Sequence, residues 1–238
     1  MNRSNGAATS THATSAEAVP YAMRLYPAAG QAAPTFVLAH GAGAGHDHPW
    51  MTRVAQGLAD RGVRVVTFNF AYREAGRTLP DPGPVLEEAF RSIWAEVART
   101  TTAKMFAGGK SMGGRISSQV AARRAFNPAP DGLIFFGYPL HPPGKPAQRR
   151  DRHLPNVQAG MLFLSGTRDP FASPDELREL VDELNLSAER KRSTAVALEL
   201  FEGGDHSLIA AKKVDPEGRL LDRAMDDAAA WMTRLTRD

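Results

Sequence analysis

Short apolar runs alternate with longer segments whose apolar residues recur three and four positions apart, from about residue 35 to the end of the chain. Continuous apolar runs of this length are typical of strands buried on both faces of a sheet, and the recurring stripes are typical of amphipathic helices. We expect strands at 35–39, 63–70, 104–107, 132–136, 161–164 and 195–200. We expect helices at about 49–60, 84–97, 112–120, 174–184 and 221–235.

The alternation of strands with helices predicts parallel βαβ units, in which helices cover both faces of a mostly parallel sheet. The expected fold is therefore a doubly wound α/β domain whose chemistry lies at the carboxyl ends of the strands. No internal repeat or interior linker divides the chain, so residues 21–238 are expected to form a single domain. Residues 1–20 are rich in Ala, Ser and Thr and are expected to form a disordered tail.

Composition excludes several classes of protein. With 238 residues, 42% of them hydrophobic, the chain can bury a sizeable core, and the absence of cysteine excludes disulfides and thiolate sites. No segment stays apolar over the roughly 20 residues of a membrane-spanning helix, and the first residues lack the apolar region of a signal peptide, so the cytoplasm is the expected location. The net charge of +3 comes from interspersed charges and does not favour nucleic acid as a partner.

A glycine-rich segment follows the strand expected at 104–107. Residues 108–114 read Gly-Gly-Lys-Ser-Met-Gly-Gly and contain the pattern G-x-S-x-G around Ser111. In a sharp turn from strand to helix, such glycines leave room for a serine in strained backbone geometry, and the following helix directs free N–H groups toward its hydroxyl. Such a turn could instead bind phosphate, but the glycines lack the spacing of a dinucleotide-binding or P-loop motif. Ser111 is therefore the predicted nucleophile.

A serine nucleophile needs a histidine to take its proton and a carboxylate to orient that histidine. His206 follows the last expected strand in a glycine-containing loop, and Asp169 follows a buried strand directly. The chain order Ser111, Asp169, His206 is typical of α/β-hydrolases. Asp205 and Glu202 are alternative acids, and Asp205 ranks behind Asp169 because neighbours in sequence seldom point at each other.

A second glycine-rich turn follows the first expected strand, where residues 40–45 read His-Gly-Ala-Gly-Ala-Gly. Backbone N–H groups in such a turn stabilise the oxyanion of a tetrahedral intermediate. The N–H groups of Ala42 and Met112 are the predicted pair, and Gly41 and Gly43 are predicted to contact substrate. A flexible loop accounts for the alternate glycines equally well, but their occurrence with the serine, acid and histidine in the expected order favours the catalytic interpretation.

Four segments carry a resemblance to a known superfamily: Ala39-His40-Gly41-Ala42-Gly43, Gly109-Lys110-Ser111-Met112-Gly113-Gly114, Gly137-Tyr138-Pro139-Leu140-His141-Pro142-Pro143-Gly144 and Gly166-Thr167-Arg168-Asp169-Pro170-Phe171. The chain resembles the α/β-hydrolase superfamily over nearly its whole length after residue 20, and its small dienelactone-hydrolase-like members in particular. More narrowly, it is similar to a branch of largely uncharacterised bacterial hydrolases. That branch is similar to a testis-expressed vertebrate protein and to a subunit of a histone-acetyltransferase-associated complex. The resemblance implies the fold and a Ser-His-Asp triad.

The segment 141–160 lies where enzymes of this superfamily often carry a helical cap. Its four prolines disfavour helices, so neither a large cap domain nor a lipase-like lid is expected. The segment also carries a basic group at the expected mouth of the site, which makes an anionic substrate one expectation beside a solvated loop. The group consists of Lys145, Arg149, Arg150, Arg152 and His153. Arg149 and Tyr72 are predicted to contact substrate, Trp50 is a further pocket candidate, and Trp94 is expected in the core.

Together these features predict a serine hydrolase that cleaves an ester or thioester of a small substrate through an acyl-enzyme on Ser111. His206 acts as general base and then as general acid, and Asp169 orients it. This chemistry requires neither a metal nor an organic cofactor. The alternative is a catalytically silent interaction module that keeps the hydrolase scaffold, in line with the resemblance to a complex subunit.

Overall fold

The computed structural model describes residues 21–30, 32–186 and 194–237, so the expected tail at 1–20 lies outside the described residues. Within these ranges the strands are β1 (Met23–Tyr26), β2 (Thr35–Ala39), β3 (Arg64–Phe68), β4 (Met105–Lys110), β5 (Gly132–Phe136), β6 (Gly160–Gly166) and β7 (Val196–Phe201). The helices are α1 (Pro49–Asp60), α2 (Ala71–Glu74), α3 (Gly83–Ala98), α4 (Met112–Ala122), α5 (Pro174–Leu186) and α6 (Leu220–Arg237). A 3-10 turn spans Leu154–Asn156.

The seven described strands form one sheet in the order β1-β3-β2-β4-β5-β6-β7. All neighbouring strands are parallel except β1, which runs antiparallel to β3. The direction in which strands are added reverses between β2 and β4, and the loops after these two strands therefore diverge. Such a reversal leaves a crevice at the carboxyl ends of the strands, where α/β sheets bind their ligands. The predicted fold, a mostly parallel sheet with helices on both faces, is confirmed.

Each face of the sheet has its own apolar core. Phe90 and Trp94 of α3 pack against one face, which α4 and α5 also cover. Met225 and Trp231 of α6 pack against the other face together with α1. Strands β2, β5 and β6 are buried along their whole length, as their continuous apolar sequences predict.

Helix α5 begins with a reciprocal cap between Ser173 and Glu176. The Ser173 hydroxyl accepts a hydrogen bond from the Glu176 N–H at 3.3 Å, and the Glu176 carboxylate accepts one from the Ser173 N–H at 2.9 Å. This reciprocal pair satisfies N–H groups that the first turn of a helix leaves without partners.

Strand β1 was not predicted, and strand β4 is longer than predicted. Strand β1 is short and lies at the edge of the sheet, with Met23 and Leu25 exposed, so its sequence lacks a buried apolar run. Strand β4 continues through Gly108 and Gly109, which the sequence assigns to the turn. A Cβ at Gly108 would overlap the Ile134 carbonyl on β5, so glycine here permits close pairing of two strands.

The segment 141–160, all of which the structure describes, contains only the 3-10 turn at Leu154–Asn156 as a helical element. The expectation of no large cap domain is therefore confirmed. Of the helices within the described ranges, none combines the length and apolar character of a bilayer-spanning segment.

Candidate active site

Ser111 lies at the turn from β4 into α4 and is the N-cap of that helix. Its backbone has φ +50° and ψ −113°, a region that favours glycine. The Ser111 N–H donates to the Phe136 carbonyl at 3.1 Å, which anchors the turn to β5. A Cβ at either Gly109 or Gly113 would overlap the Ala39 carbonyl. The two glycines are therefore required for a turn that raises the serine above the sheet, and such local strain is typical of functional sites.

His206 reaches Ser111 from the loop after β7. Its Nε2 lies 2.9 Å from the Ser111 Oγ. The loop packs tightly against Gly137, where φ is +66° and a Cβ would lie 2.7 Å from the His206 carbonyl oxygen. The Phe171 ring covers the imidazole with 4.2 Å between the ring centroids. Packing thus fixes both the position and the plane of the histidine.

Asp169, in the turn after β6, holds the opposite side of the His206 ring. Its Oδ2 lies 2.7 Å from the His206 Nδ1, and its side chain is fully buried. The other carboxylate oxygen accepts the Phe171 N–H at 2.8 Å. Because an ionised carboxylate only accepts hydrogen bonds, Nδ1 carries the proton, and Nε2 is left to accept the Ser111 hydroxyl.

The two alternative acids do not contact the imidazole. Asp205 accepts the N–H groups of Ser207 at 2.7 Å and Ile209 at 3.0 Å, so its carboxylate stabilises the loop that carries His206. Glu202 is exposed just beyond β7. Of the three carboxylates considered from the sequence, the structure brings Asp169 to the histidine.

The residues of the predicted oxyanion site belong to the turns that follow β2 and β4. Ala42 and Met112 both line the cavity that contains the serine, as does Gly41. Met112 is the first residue of α4, so its N–H has no acceptor within the helix. Gly43 lies outside that lining and has φ +74°, which a side chain would strain.

His40 braces the turn after β2. The ring is fully buried, its Nδ1 lies 2.8 Å from the Gly41 carbonyl oxygen, and its Nε2 accepts the Phe70 N–H at 3.2 Å. This arrangement requires a neutral ring with the proton on Nδ1. Burial lowers the pKa of His40 from 6.5 to about 4, which keeps the ring neutral near pH 7.

Ser111 and His206 line a cavity of about 450 Å³. One part of its wall is apolar and consists of Trp50, Met51, Leu86, Met112, Pro139 and Phe171. The wall also contains three cationic side chains, those of Lys110, Arg115 and Arg150. A largely apolar cavity with a few polar groups beside a hydrogen-bonded serine is the usual form of a small-molecule site.

This geometry agrees with a comparison of the sequence with known families. Residues 32–234 match the family model described as "Alpha/beta hydrolase domain". The chain belongs to this family. Membership supports hydrolase activity in general.

Solved structures share the fold of the hydrolase at low sequence identity. An alpha-beta serine hydrolase homologue from Coxiella burnetii has a TM-score of 0.63 at 17% identity over 90% of each chain. A dienelactone hydrolase from Anabaena variabilis has a TM-score of 0.64 at 18% identity, over 90% of this chain and 91% of the other. An α/β serine hydrolase without a lid from Xanthomonas campestris has a TM-score of 0.60 at 19% identity, over 91% and 87%. At these identities the likeness establishes the fold.

Of the three aromatic residues named from the sequence, one lines the cavity and two are buried in the core. Trp50 lines the cavity of the hydrolase. Tyr72 does not reach it: the side chain is fully buried, with its ring centroid 5.8 Å from that of His40 and 6.5 Å from that of Phe70. Trp94 is buried in the core, as expected from its helical stripe. Tyr72 follows β3 at a strand end, but its ring packs inward behind the turn.

Arg149 is also absent from the cavity wall. Its guanidinium pairs with the Asp151 carboxylate and, at 3.1 Å, with Glu176 of α5. These contacts tie the segment 141–160 to the body of the hydrolase. The neighbouring Arg150 lines the cavity instead. Which of the two adjacent arginines faces the site therefore depends on the neighbouring Asp151 and on Glu176 of α5.

Lys110 belongs to the glycine-rich motif, but the sequence pattern assigns it no role. Its ammonium donates to the His206 carbonyl and lies 5.7 Å from the centroid of the Trp50 ring. Burial lowers the pKa of Lys110 to about 8, against the opposing effect of the Asp169 and Asp205 carboxylates. Lys110 therefore connects the turn that carries the serine to the loop that carries the histidine.

A second serine–histidine contact lies behind the site, where the Ser118 Oγ is 2.8 Å from the His153 Nε2. Ser118 is fully buried in α4, and its hydroxyl donates to the Arg115 carbonyl at 2.8 Å. The Tyr138 hydroxyl lies 3.3 Å from the same oxygen. This serine is closed to substrate, and the network joins α4 to the segment 141–160.

Proposed function

We propose that the protein is a serine hydrolase that cleaves an ester or thioester of a small substrate through an acyl-enzyme on Ser111. The observation that carries this proposal is the hydrogen-bonded series from Ser111 Oγ through His206 to the buried Asp169, with 2.9 Å and 2.7 Å between the paired atoms. The serine and the histidine open onto a cavity of about 450 Å³, which suits a small substrate.

In the first half of the reaction, the Ser111 Oγ attacks the carbonyl carbon of the substrate while its proton passes to the His206 Nε2. The carbonyl oxygen becomes an oxyanion, which the N–H groups of Ala42 and Met112 stabilise. His206 then donates the proton to the departing alcohol or thiol. The carbon–oxygen or carbon–sulfur bond breaks, and the acyl group remains on the serine.

In the second half, water attacks the acyl-enzyme. His206 takes one proton from the water, a second oxyanion forms, and the same proton returns to the Ser111 Oγ as the acid leaves. Throughout both halves the Asp169 carboxylate stays ionised and stabilises the imidazolium. The segment 141–160 forms no lid, which favours small substrates with free access over substrates taken from a lipid surface.

A fluorophosphonate probe tests the proposal directly, because the probe phosphonylates only an activated serine. The wild-type protein should be labelled at Ser111, and Ser111→Ala should abolish both the labelling and the hydrolysis of p-nitrophenyl acetate. Ser118→Ala is the matched control, since Ser118 also contacts a histidine but is fully buried. The control should be labelled like the wild type.

Two outcomes would contradict the proposal. Labelling that persists in Ser111→Ala would assign the nucleophile to another residue. A folded wild-type protein that neither reacts with the probe nor turns over esters would favour the silent interaction module.

A further inference from the structure

The cavity beside Ser111 has an unbalanced charge. Three of its lining side chains, those of Lys110, Arg115 and Arg150, are cationic, whereas none of the described residues that line it is Asp or Glu. Lys110 has carboxylates nearby, since Asp169 and Asp205 both act on its charge. The Lys110 ammonium also donates to the His206 carbonyl, which leaves the two arginines as the remaining cations of the wall.

Arg115 lies one helical turn after the serine. Its N–H donates to the Ser111 carbonyl at 3.1 Å, and both residues line the same cavity. The guanidinium is half-buried, and burial lowers its pKa. Its side-chain hydrogen bond to Gln119 is long, at 3.4 Å. The nearby carboxylate of Glu87 is already paired with Arg123 at 2.9 Å.

Arg150 reaches the cavity from the segment 141–160, not from α4. Its backbone is fixed, because its N–H donates to the Leu140 carbonyl at 2.8 Å and its carbonyl accepts the Tyr138 hydroxyl at 3.3 Å. The carboxylates near this segment are occupied by Arg149, which binds Asp151 and Glu176. Within the described ranges, no ion pair includes Arg115 or Arg150.

The two arginines also act on each other, since the charge of Arg150 contributes to lowering the pKa of Arg115. Two like charges that act on each other are unfavourable, and an anion bound by both reduces this repulsion. A guanidinium presents planar paired donors that fit the oxygens of a carboxylate or a phosphate.

We infer that Arg115 and Arg150 form a subsite for an anionic oxygen group of the substrate, so that the preferred ester or thioester carries a carboxylate or a phosphate. The inference rests on the proposed function of Ser111. Because Ser111, Arg115 and Arg150 line the same cavity of about 450 Å³, one small substrate can place its carbonyl at the serine and its anionic group at the arginines.

A matched pair of substrates tests the subsite. One is the p-nitrophenyl monoester of adipic acid, which ends in a free carboxylate, and the other is the same compound with that carboxylate methylated. The wild type should favour the anionic ester in kcat/KM by about tenfold or more, the value expected for a hydrogen-bonded charge. Arg115→Gln and Arg150→Gln should each remove most of this preference. A third ester, whose chain ends in a phosphonate, distinguishes a phosphate site from a carboxylate site.

Arg152→Gln is the control, because Arg152 is an exposed arginine of the same segment that lies outside the cavity wall. This variant should prefer the anionic ester as strongly as the wild type does. Equal kcat/KM for both esters in the wild type, or an unchanged preference in the two arginine variants, would refute the subsite.

Binding to Ser111→Ala separates the subsite from the proposed chemistry. Calorimetry should show that this variant binds monomethyl adipate more tightly than dimethyl adipate. In the double variant with Arg115→Gln, only the affinity for monomethyl adipate should fall. If the wild type hydrolyses neither ester, the proposed function fails, and this binding result still decides whether the anion site exists. Equal binding of both compounds would overturn the inference even in an active enzyme.

Discussion

Two carboxylates lie close to His206, and their oxygens accept hydrogen bonds from different groups. Asp169 is buried and directs Oδ2 at the imidazole, with its second oxygen held by the Phe171 N–H. Asp205 is exposed and accepts two backbone N–H groups of its own loop. The first contact sets the tautomer of the histidine, whereas the second stabilises the segment that carries it.

Asp169→Asn should therefore lower kcat by about 10³- to 10⁴-fold, because an amide at this position no longer holds Nδ1 protonated or stabilises the imidazolium. Asp205→Asn should lower kcat by less than about tenfold, since an asparagine oxygen still accepts hydrogen bonds from the loop. Steady-state hydrolysis of p-nitrophenyl acetate at pH 7.5 measures both. If the two effects were reversed, Asp205 would be the orienting acid.

At the scale of elements, the sequence predicts those parts whose burial is uniform. Helix α3 and strands β5 and β6 were predictable because a stripe or run of apolar residues is required on each buried face. Strand β1 was not, since an exposed edge strand needs no such run. The length of β4 was not predictable either, because whether a glycine continues a strand or turns it depends on the neighbouring strand, here the Ile134 carbonyl.

The turn between β4 and α4 allows a test at this scale. In Gly113→Ala, the new methyl group would overlap the Ala39 carbonyl and lie 2.8 Å from the His40 carbonyl oxygen. The helix and the serine must then shift, so the free energy of unfolding should fall by about 1–3 kcal/mol and kcat should fall with it. Urea denaturation followed by circular dichroism measures the first quantity.

Gly83→Ala provides the comparison for stability. A Cβ at Gly83 meets nothing within 4 Å at the start of α3, so this variant should be as stable as the wild type or slightly more stable. Equal stability of both variants would show that the β4–α4 turn has more room than its contacts imply.

For the whole molecule, the order of the residues along the chain is the main basis on which the sequence predicts the site. Ser111, Asp169 and His206 each follow a different strand of a parallel sheet, and parallel strands bring their carboxyl ends to one edge. The cations of the cavity wall are different. Arg115 and Arg150 come from different parts of the chain. Arg150 lines the cavity instead of the predicted Arg149, because Arg149 pairs with Asp151 and Glu176. Such choices depend on tertiary contacts that have no periodicity in the sequence.

The stability of the whole molecule should depend on two histidines far apart in sequence. Burial lowers the pKa of His40 and of His153 to about 4, from 6.5. Between these pH values the unfolded chain binds protons at these two histidines that the folded chain does not, so their contribution to stability falls as the pH falls from 6.5 towards 4. The fully buried His40 contributes roughly 3 kcal/mol over this range, and the half-buried His153 acts in the same direction.

Urea denaturation at pH 6.5 and pH 4.5 measures this loss. In the folded state the pKa values of Glu88, Glu176 and Asp215 are lowered. Both of these pH values lie at or above the ordinary pKa of these carboxylates, so their contribution to stability is lost mainly below pH 4.5. The free energy of unfolding should therefore fall with decreasing pH because of the histidines. In His153→Gln the fall should be smaller, and in His40→Gln smaller still, whatever the absolute stability of each variant. A wild-type free energy that stays constant between these two pH values would mean that the His40 ring is not held neutral between Gly41 and Phe70.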